Sequence, residues 1–318
     1  MTAGRCLPVG RYRLRFRAVD NMRLPEYAGS LLRGQFGAAL RRTACMTGRK
    51  ECRPCPLYRT CPYPAIFDTP PPAEHRLQKF SAVPNPYVIE PPPFGTRRVA
   101  AGEVLAFSIV LVGRALDQLP LIVFAFQRAM QRGLGKTRAR AVLEDVLWED
   151  ENGNGVSVWN PDEQSVVPHA PGLVLPSLER VTVATLRIDT PLRLQHQGHP
   201  LGPDGVRPRT LLTAILRRAS LLFELHAGMR GLVDDPTRLA RRAESLQDSR
   251  DLQWREWRRY SSRQKAEMTL GGVVGEWTLI GDLGPLADWL WLGQWLHAGK
   301  AATMGMGKYS VVFGQRAQ

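Results

Sequence analysis

The order in which strand and helix patterns recur constrains this chain more than any single motif. Arg11–Val19 alternates, with Tyr12, Leu14, Phe16 and Ala18 on one side and Arg11, Arg13, Arg15 and Arg17 on the other. A period of two predicts a strand with one apolar and one basic face. Leu31, Leu32, Phe36, Ala39 and Leu40 then fall at helical spacing within Ser30–Arg42. Strand patterns follow at Tyr87–Glu90 and Val104–Val112, a helix over Gln118–Gln131, and strands at Arg140–Trp148 and Val156–Trp159 around the turn residues Asn152 to Gly155. Beyond the prolines at 161, 168, 171 and 176 the order repeats. A strand is expected at Val181–Leu194, helices at Thr210–Ala227 and Pro236–Gln247, strands at Ala266–Leu270 and Val273–Ile280, a helix at Leu286–Leu296 and a closing strand at Lys308–Phe313. Two α+β units, each a small antiparallel sheet covered by helices, account for this order, with boundaries at residues 1–175 and 176–318.

Charge narrows the function. Lys and Arg number 43 against 29 Asp and Glu, a net charge of +14, which calls for a polyanionic partner. A membrane surface is the poorer choice: MTAGRCLPVG contains no apolar signal core, and the longest apolar run, near Leu119–Phe126, is too short to span a bilayer. The expected compartment is the cytoplasm.

Residues 45–72 break the pattern and read as an inserted loop in the first unit. Cys45, Cys52, Cys55 and Cys61 form C-x6-C-x2-C-x5-C there, and four thiols so close predict a structural zinc site, with an iron–sulfur cluster or unpaired thiols as alternatives. A four-thiolate site has no open position, so it would add nothing to catalysis.

Three segments carry basic residues in settings that suit nucleic acid. His297-Ala298-Gly299-Lys300 to Gly305-Met306-Gly307-Lys308 lies between the last helix and last strand, where glycine backbone and Lys300 could approach phosphate oxygens. Arg132-Gly133-Leu134-Gly135-Lys136-Thr137-Arg138 holds the comparable place in the first half. It is no Walker A motif, because Met130 stands where that motif requires glycine. The run from Trp254 to Lys265, with Arg258, Arg259 and Arg263, interleaves cations and aromatic planes as single-stranded RNA binders do. The alternative places Trp254 and Trp257 in the core.

Arg259-Tyr260-Ser261-Ser262-Arg263-Gln264, Leu270-Gly271-Gly272-Val273-Val274-Gly275, His297–Lys300 and Gly305–Tyr309 together resemble the C-terminal half of the CRISPR repeat-RNA processing endoribonucleases. These form the sixth of the numbered CRISPR-associated families, in the RAMP superfamily. The likeness is dense from about Arg209 onward and looser before it. It implies two tandem ferredoxin-like (RRM-like) units with antiparallel sheets, and metal-independent cleavage of precursor CRISPR RNA within each repeat. The implied partners are CRISPR repeat RNA and subunits of a CRISPR effector complex; no catalytic cofactor is implied.

Attack by a 2′-hydroxyl on the adjacent phosphate needs a base, an acid for the departing 5′-oxygen, and cations for the charge-rich intermediate. His297 and Lys300 are the leading candidates for these roles. Many relatives place a catalytic histidine in or after the first helix; Ser30–Arg42 has none, and Arg33 with Tyr27 are the alternative set. The expected RNA contacts are Arg132, Lys136, Arg138, Arg258, Arg259, Arg263, Lys265, Gly299, Gly305, Gly307 and Lys308. Two further readings compete with the nuclease: a non-catalytic RNA-binding subunit of the same superfamily, and a zinc-stabilised nucleic-acid-binding regulator.

Overall fold

A computed structural model describes residues 4–72, 83–95, 98–176, 178, 180–261 and 266–315, with side chains left aside at 259–261 and 266–267. The chain clusters into two compact units: residues 8–171 with 221–228, and residues 1–7, 172–220 and 229–318.

The first unit runs β1 (Val9–Ala18), α1 (Gly29–Ala44), α2 (Pro62–Phe67), β2 (Tyr87–Glu90), β3 (Val104–Val112), α3 (Leu119–Arg132), β4 (Ala141–Glu149) and β5 (Gly155–Ser157). Its antiparallel sheet has the order β2-β3-β1-β4-β5. The alternation in β1 sets the layering. Tyr12, Leu14 and Phe16 are buried in a core completed by Phe36 and Leu40 of α1 and Ile122 and Phe126 of α3, with the Phe36 and Phe126 rings stacked 4.6 Å apart.

The arginine face of β1 is not an open basic platform. Arg11 pairs with Glu90 at 3.1 Å, Arg13 with Glu149 at 2.5 Å, and Arg17 with Glu144, so acids from β2 and β4 neutralise most of it. Glu90 and Glu149 are themselves buried, and a buried carboxylate requires such a partner.

The second unit repeats the plan. β6 (Val183–Leu192) leads to a short hairpin, β7 (Gln195–His196) and β8 (His199–Pro200), followed by α4 (Pro208–Ala227) and α5 (Pro236–Glu244). β9 (Gln247–Ser261), β10 (Ala266–Ile280), α6 (Gly284–Leu296) and β11 (Tyr309–Gly314) complete it. The antiparallel sheet order is β9-β10-β6-β11. In both units the first strand is central and flanked by the third and fourth, the β-α-β-β-α-β arrangement of ferredoxin-like folds. Trp277, Leu186, Leu212 and Leu290 are wholly buried. The Tyr309 hydroxyl donates to the Leu290 carbonyl at 2.6 Å, tying the last strand to α6.

β9 and β10 pair residue for residue from Gln247↔Ile280 to Ser261↔Ala266, whereas β6 covers β10 only from Val273 onward. The remainder extends past the sheet as a two-stranded arm of about 20 Å at the usual rise per residue. Among the described residues no helix is long and apolar enough to cross a membrane.

Candidate nucleic-acid interface and active site

Within the second unit, the glycine-rich loop and the hairpin arm meet at Arg193. The Arg193 carbonyl accepts the Lys300 N–H at 3.0 Å, and Arg193 Nη1 donates to the Gly271 carbonyl at 2.8 Å. Gly299 sits so close that a Cβ there would lie 2.6 Å from the Arg193 oxygen. On the other side, a Cβ at Gly272 would lie 2.7 Å from the Leu192 carbonyl carbon. Side-chain-free residues are what allow the two segments to close on residues 192–193.

The loop is internally bonded. Ala298 N–H donates to Gly307, Met304 N–H to Ala301, Gly305 N–H to Ala302 and Gly307 N–H to Pro191, over 2.8 to 3.1 Å. Thr190 Oγ1 donates to the Gly305 carbonyl at 2.7 Å and accepts from Lys308 N–H at 2.8 Å. Gly305 and Gly307 are buried. Their expected role as phosphate contacts is therefore corrected: both amides are committed to the protein, and these glycines shape the loop. Lys300 is exposed, Gly299 and Lys308 half-exposed, and these form its outward part.

His297 is 0% exposed, at the end of α6 with φ 58°. Its Nδ1 lies 3.1 Å from the Met306 carbonyl; a carbonyl only accepts, so Nδ1 carries the proton. Complete burial withdraws this imidazole from a phosphate at the surface and makes it a strut between the two ends of the loop. Beside it, Arg218 donates from Nε to the Leu296 carbonyl at 2.7 Å, and burial pushes its guanidinium down to about 10.

On the arm, Trp257 is buried, and the indole of Trp254 lies over Gly271, where a Cβ would come within 2.5 Å of the ring. Trp254 Nε1 donates to Glu256 at 2.8 Å. Trp257 thus serves packing, while Trp254 stays half-exposed over Gly271. Arg255 and Arg258 are exposed on the arm; the side chain of Arg259, and Arg263 and Lys265 entirely, lie outside the described residues.

In the first unit, Arg132, Lys136 and Arg138 are exposed on the turn after α3, which closes through the Leu134↔Ala139 bridge. Arg42, exposed near the end of α1, has its guanidinium held below the ordinary value by partial desolvation and then by the charge of Arg132. Tyr27 is 2% exposed with its ring 5.5 Å from that of Phe94, and the half-buried Arg33 lies 4.3 Å above the Phe67 ring. Tyr27 is thus committed to packing, while Arg33 keeps part of its side chain at the surface.

Cys45, Cys52, Cys55 and Cys61 line one cavity of about 20 Å³, the size of a single water or ion. Yet no three His, Cys, Asp or Glu among the described residues are grouped so as to hold a metal, and the expected four-thiolate site is not assembled here.

The remaining histidines divide clearly. His226 Nε2 lies 2.8 Å from the Pro84 carbonyl. His169 Nδ1 lies 2.9 Å from the Val167 carbonyl and must donate, so its Nε2 accepts from the Tyr12 hydroxyl at 3.0 Å. His75 lies outside the described residues. His196 and His199 are exposed.

Two tandem ferredoxin-like units, the second with a glycine-rich loop before its last strand, define a protein of the RAMP class. The family model described as AF_1859_N, N-terminal domain, matches residues 7–171, more than half of the chain, and that of the CRISPR-associated endoribonuclease Cas6 matches residues 186–309. The chain belongs to the family of the first model, and its second half carries the Cas6 endoribonuclease domain of a CRISPR-associated, RAMP-type processing protein.

Solved structures agree in fold. A Cas6 product complex superposes with a TM-score of 0.58 at 17% identity, covering 96% of this chain and 99% of the other. Thermus thermophilus Cas6 gives 0.53 at 16% identity over 98% and 100%. A partial Cas6-RT-Cas1–Cas2 complex gives 0.55 at 15% identity over 97% of this chain and 47% of the other, which is longer. No curated protein sequence matches the chain.

Proposed function

We propose that this protein cleaves precursor CRISPR RNA within its repeats by attack of a 2′-hydroxyl on the neighbouring phosphate, without a metal ion, leaving 2′,3′-cyclic phosphate and 5′-hydroxyl ends. The observation that carries this reading is the junction at Arg193, where an internally hydrogen-bonded glycine loop presenting Lys300 is bonded to the root of an arginine-bearing arm. A phosphate in transition gains charge, and a cation held on a preorganised loop stabilises it more than a mobile one does. Arg258 and Arg259 on the arm, with Arg263 and Lys265 beside them in sequence, would hold the RNA backbone, as would Arg132, Lys136 and Arg138 in the first unit. On this reading the partners are repeat RNA and CRISPR proteins, in the cytoplasm; a Cas6 product complex and a Cas6-RT-Cas1–Cas2 complex, both alike in fold, support the choice of partners.

The burial of His297 favours a second reading, a crRNA-binding subunit that does not cut. Incubating the chain with repeat RNA and with a scrambled RNA of equal length, in EDTA, separates the two. Cleavage at one position of the repeat alone supports the nuclease; tight binding with neither RNA cut supports the subunit.

The C-x6-C-x2-C-x5-C spacing, and the one cavity that its cysteines line, are what support a structural zinc ion, whose binding would have to draw the four thiols together. Metal analysis of purified protein should find zinc equimolar with the chain and lose it in Cys52→Ala; zinc-free native protein refutes this part.

A further inference from the structure

A reaction that moves protons between RNA oxygens needs side chains that can both take and give one near neutral pH, and imidazole is the usual choice. His297 is sealed, and His226 and His169 are engaged through the bonds described above. His196 and His199 differ from them. Both are exposed, and among the described residues neither ring has a hydrogen-bond or ion-pair partner.

Their placement is specific. β7 and β8 form a hairpin in which His196 and His199 are direct cross-strand partners. The two turn residues, Gln197 and Gly198, have φ of 49° and 85°, the two left-handed residues of a type I′ turn. That turn puts both imidazoles on one face with Cβ atoms about 5 Å apart. The hairpin is braced by Leu201 N–H donating to Leu194 at 2.9 Å and by Gln195 Nε2 donating to Gly198 at 3.1 Å. Its root is Arg193, the residue that receives Lys300 and grips Gly271, so the pair stands about 10 Å of extended chain from that junction.

We infer that His196 and His199 are the acid–base pair of the RNA cleavage proposed above, and the inference rests on that reading. One imidazole removes the 2′-hydroxyl proton as the 2′-oxygen forms its bond to phosphorus. The other donates its proton to the 5′-oxygen as the phosphorus–5′-oxygen bond breaks. The pair ends with its protonation exchanged, the products are a cyclic phosphate and a 5′-hydroxyl, and no further reactant is consumed.

The test uses the full chain, repeat RNA and EDTA throughout. His196→Ala and His199→Ala should each cleave about a hundredfold or more slowly than wild type, with melting temperature and RNA affinity preserved because both side chains are exposed. A second RNA carries sulfur in place of the bridging 5′-oxygen at the cut. Sulfur departs without being protonated, so this substrate should restore the variant lacking the acid and leave the variant lacking the base slow. A rate within threefold of wild type in either variant overturns the pair, as does rescue of both variants or of neither. If EDTA abolishes wild-type cleavage, the histidines hold a metal and the pair is overturned. A wild-type chain that never cuts repeat RNA removes the reaction and the pair together, whereas unaffected variants of a cutting enzyme remove the pair alone.

Discussion

The backbone N–H of Lys300 donates to the carbonyl of Arg193 across 3.0 Å, joining the glycine-rich loop to a strand end more than a hundred residues earlier in the chain. This bond orients the exposed lysine, and it exists because Gly299 and Gly307 let the loop lie flat against residues 191–193. Their positive φ values, 79° and 73°, and the lack of room for a Cβ make both positions exacting.

Gly307→Ala would place a methyl 1.9 Å from the Ala298 oxygen. It should destabilise the protein by roughly 3 kcal/mol and slow RNA cleavage, whereas Gly202→Ala, with nothing within 4 Å of the added carbon, should leave both unchanged. Urea unfolding of the two variants provides the comparison.

His297 acts as a strut, so its replacements should sort by geometry rather than by acidity. His297→Ala removes a buried side chain and its bond to Met306, and should lower stability by about 2 to 4 kcal/mol. His297→Asn can present an N–H near the Nδ1 position, so it should retain most cleavage activity. A folded Asn variant with no activity would restore a catalytic role to this histidine.

RNA affinity should fall linearly with salt on a log–log plot. Removing a single phosphate contact with Arg258→Ala or Lys300→Ala should reduce the slope by about 0.7, as expected for single strands. A slope equal to that of wild type would place the altered residue outside the RNA path.

Asp20 accepts from Arg140 N–H, Nε and Nη2 at 3.0, 2.8 and 3.2 Å, and these hydrogen bonds hold its carboxyl down to about 2. A carboxyl depressed in the folded state stabilises it above the ordinary carboxylate range, and the contribution is lost as pH falls from about 4 to 2. Asp20→Asn should therefore lower the melting temperature at pH 5, and the deficit should shrink steeply as pH falls through about 2.

Much of the fold is legible in the sequence where burial follows local period. Tyr87–Glu90 and Val104–Val112 are strands with the predicted bounds, and the five expected helices depart from expectation only near their ends, whereas α2 forms inside the segment expected to be loop. β9 is the main omission. Its segment reads as a helix end followed by a cationic, aromatic stretch, because Asp248, Arg250, Asp251 and Arg255 obscure any alternation. Pairing along all of β10 overrides that local signal. Gly271-Gly272 looks like a break between two strands, yet the strand continues, since Trp254 covers one glycine and residues 192–193 the other.

The glycine loop was recognisable from its spacing, but its inward and outward faces were not. They depend on Thr190, Pro191 and Arg193, which lie far away in sequence. The same distance conceals the burial of His297. His196 and His199 are visible as a pair three residues apart, and only the I′ turn between them makes them face one way.

The central claim is cleavage by an internal nucleophile. The most direct test compares repeat RNA with the same RNA carrying a single 2′-deoxy nucleotide immediately 5′ of the cut, both in EDTA, with analysis of the product ends. The predicted result is cutting of the all-ribose RNA alone, with a 2′,3′-cyclic phosphate at the new end; cutting of the 2′-deoxy RNA at a comparable rate would contradict it.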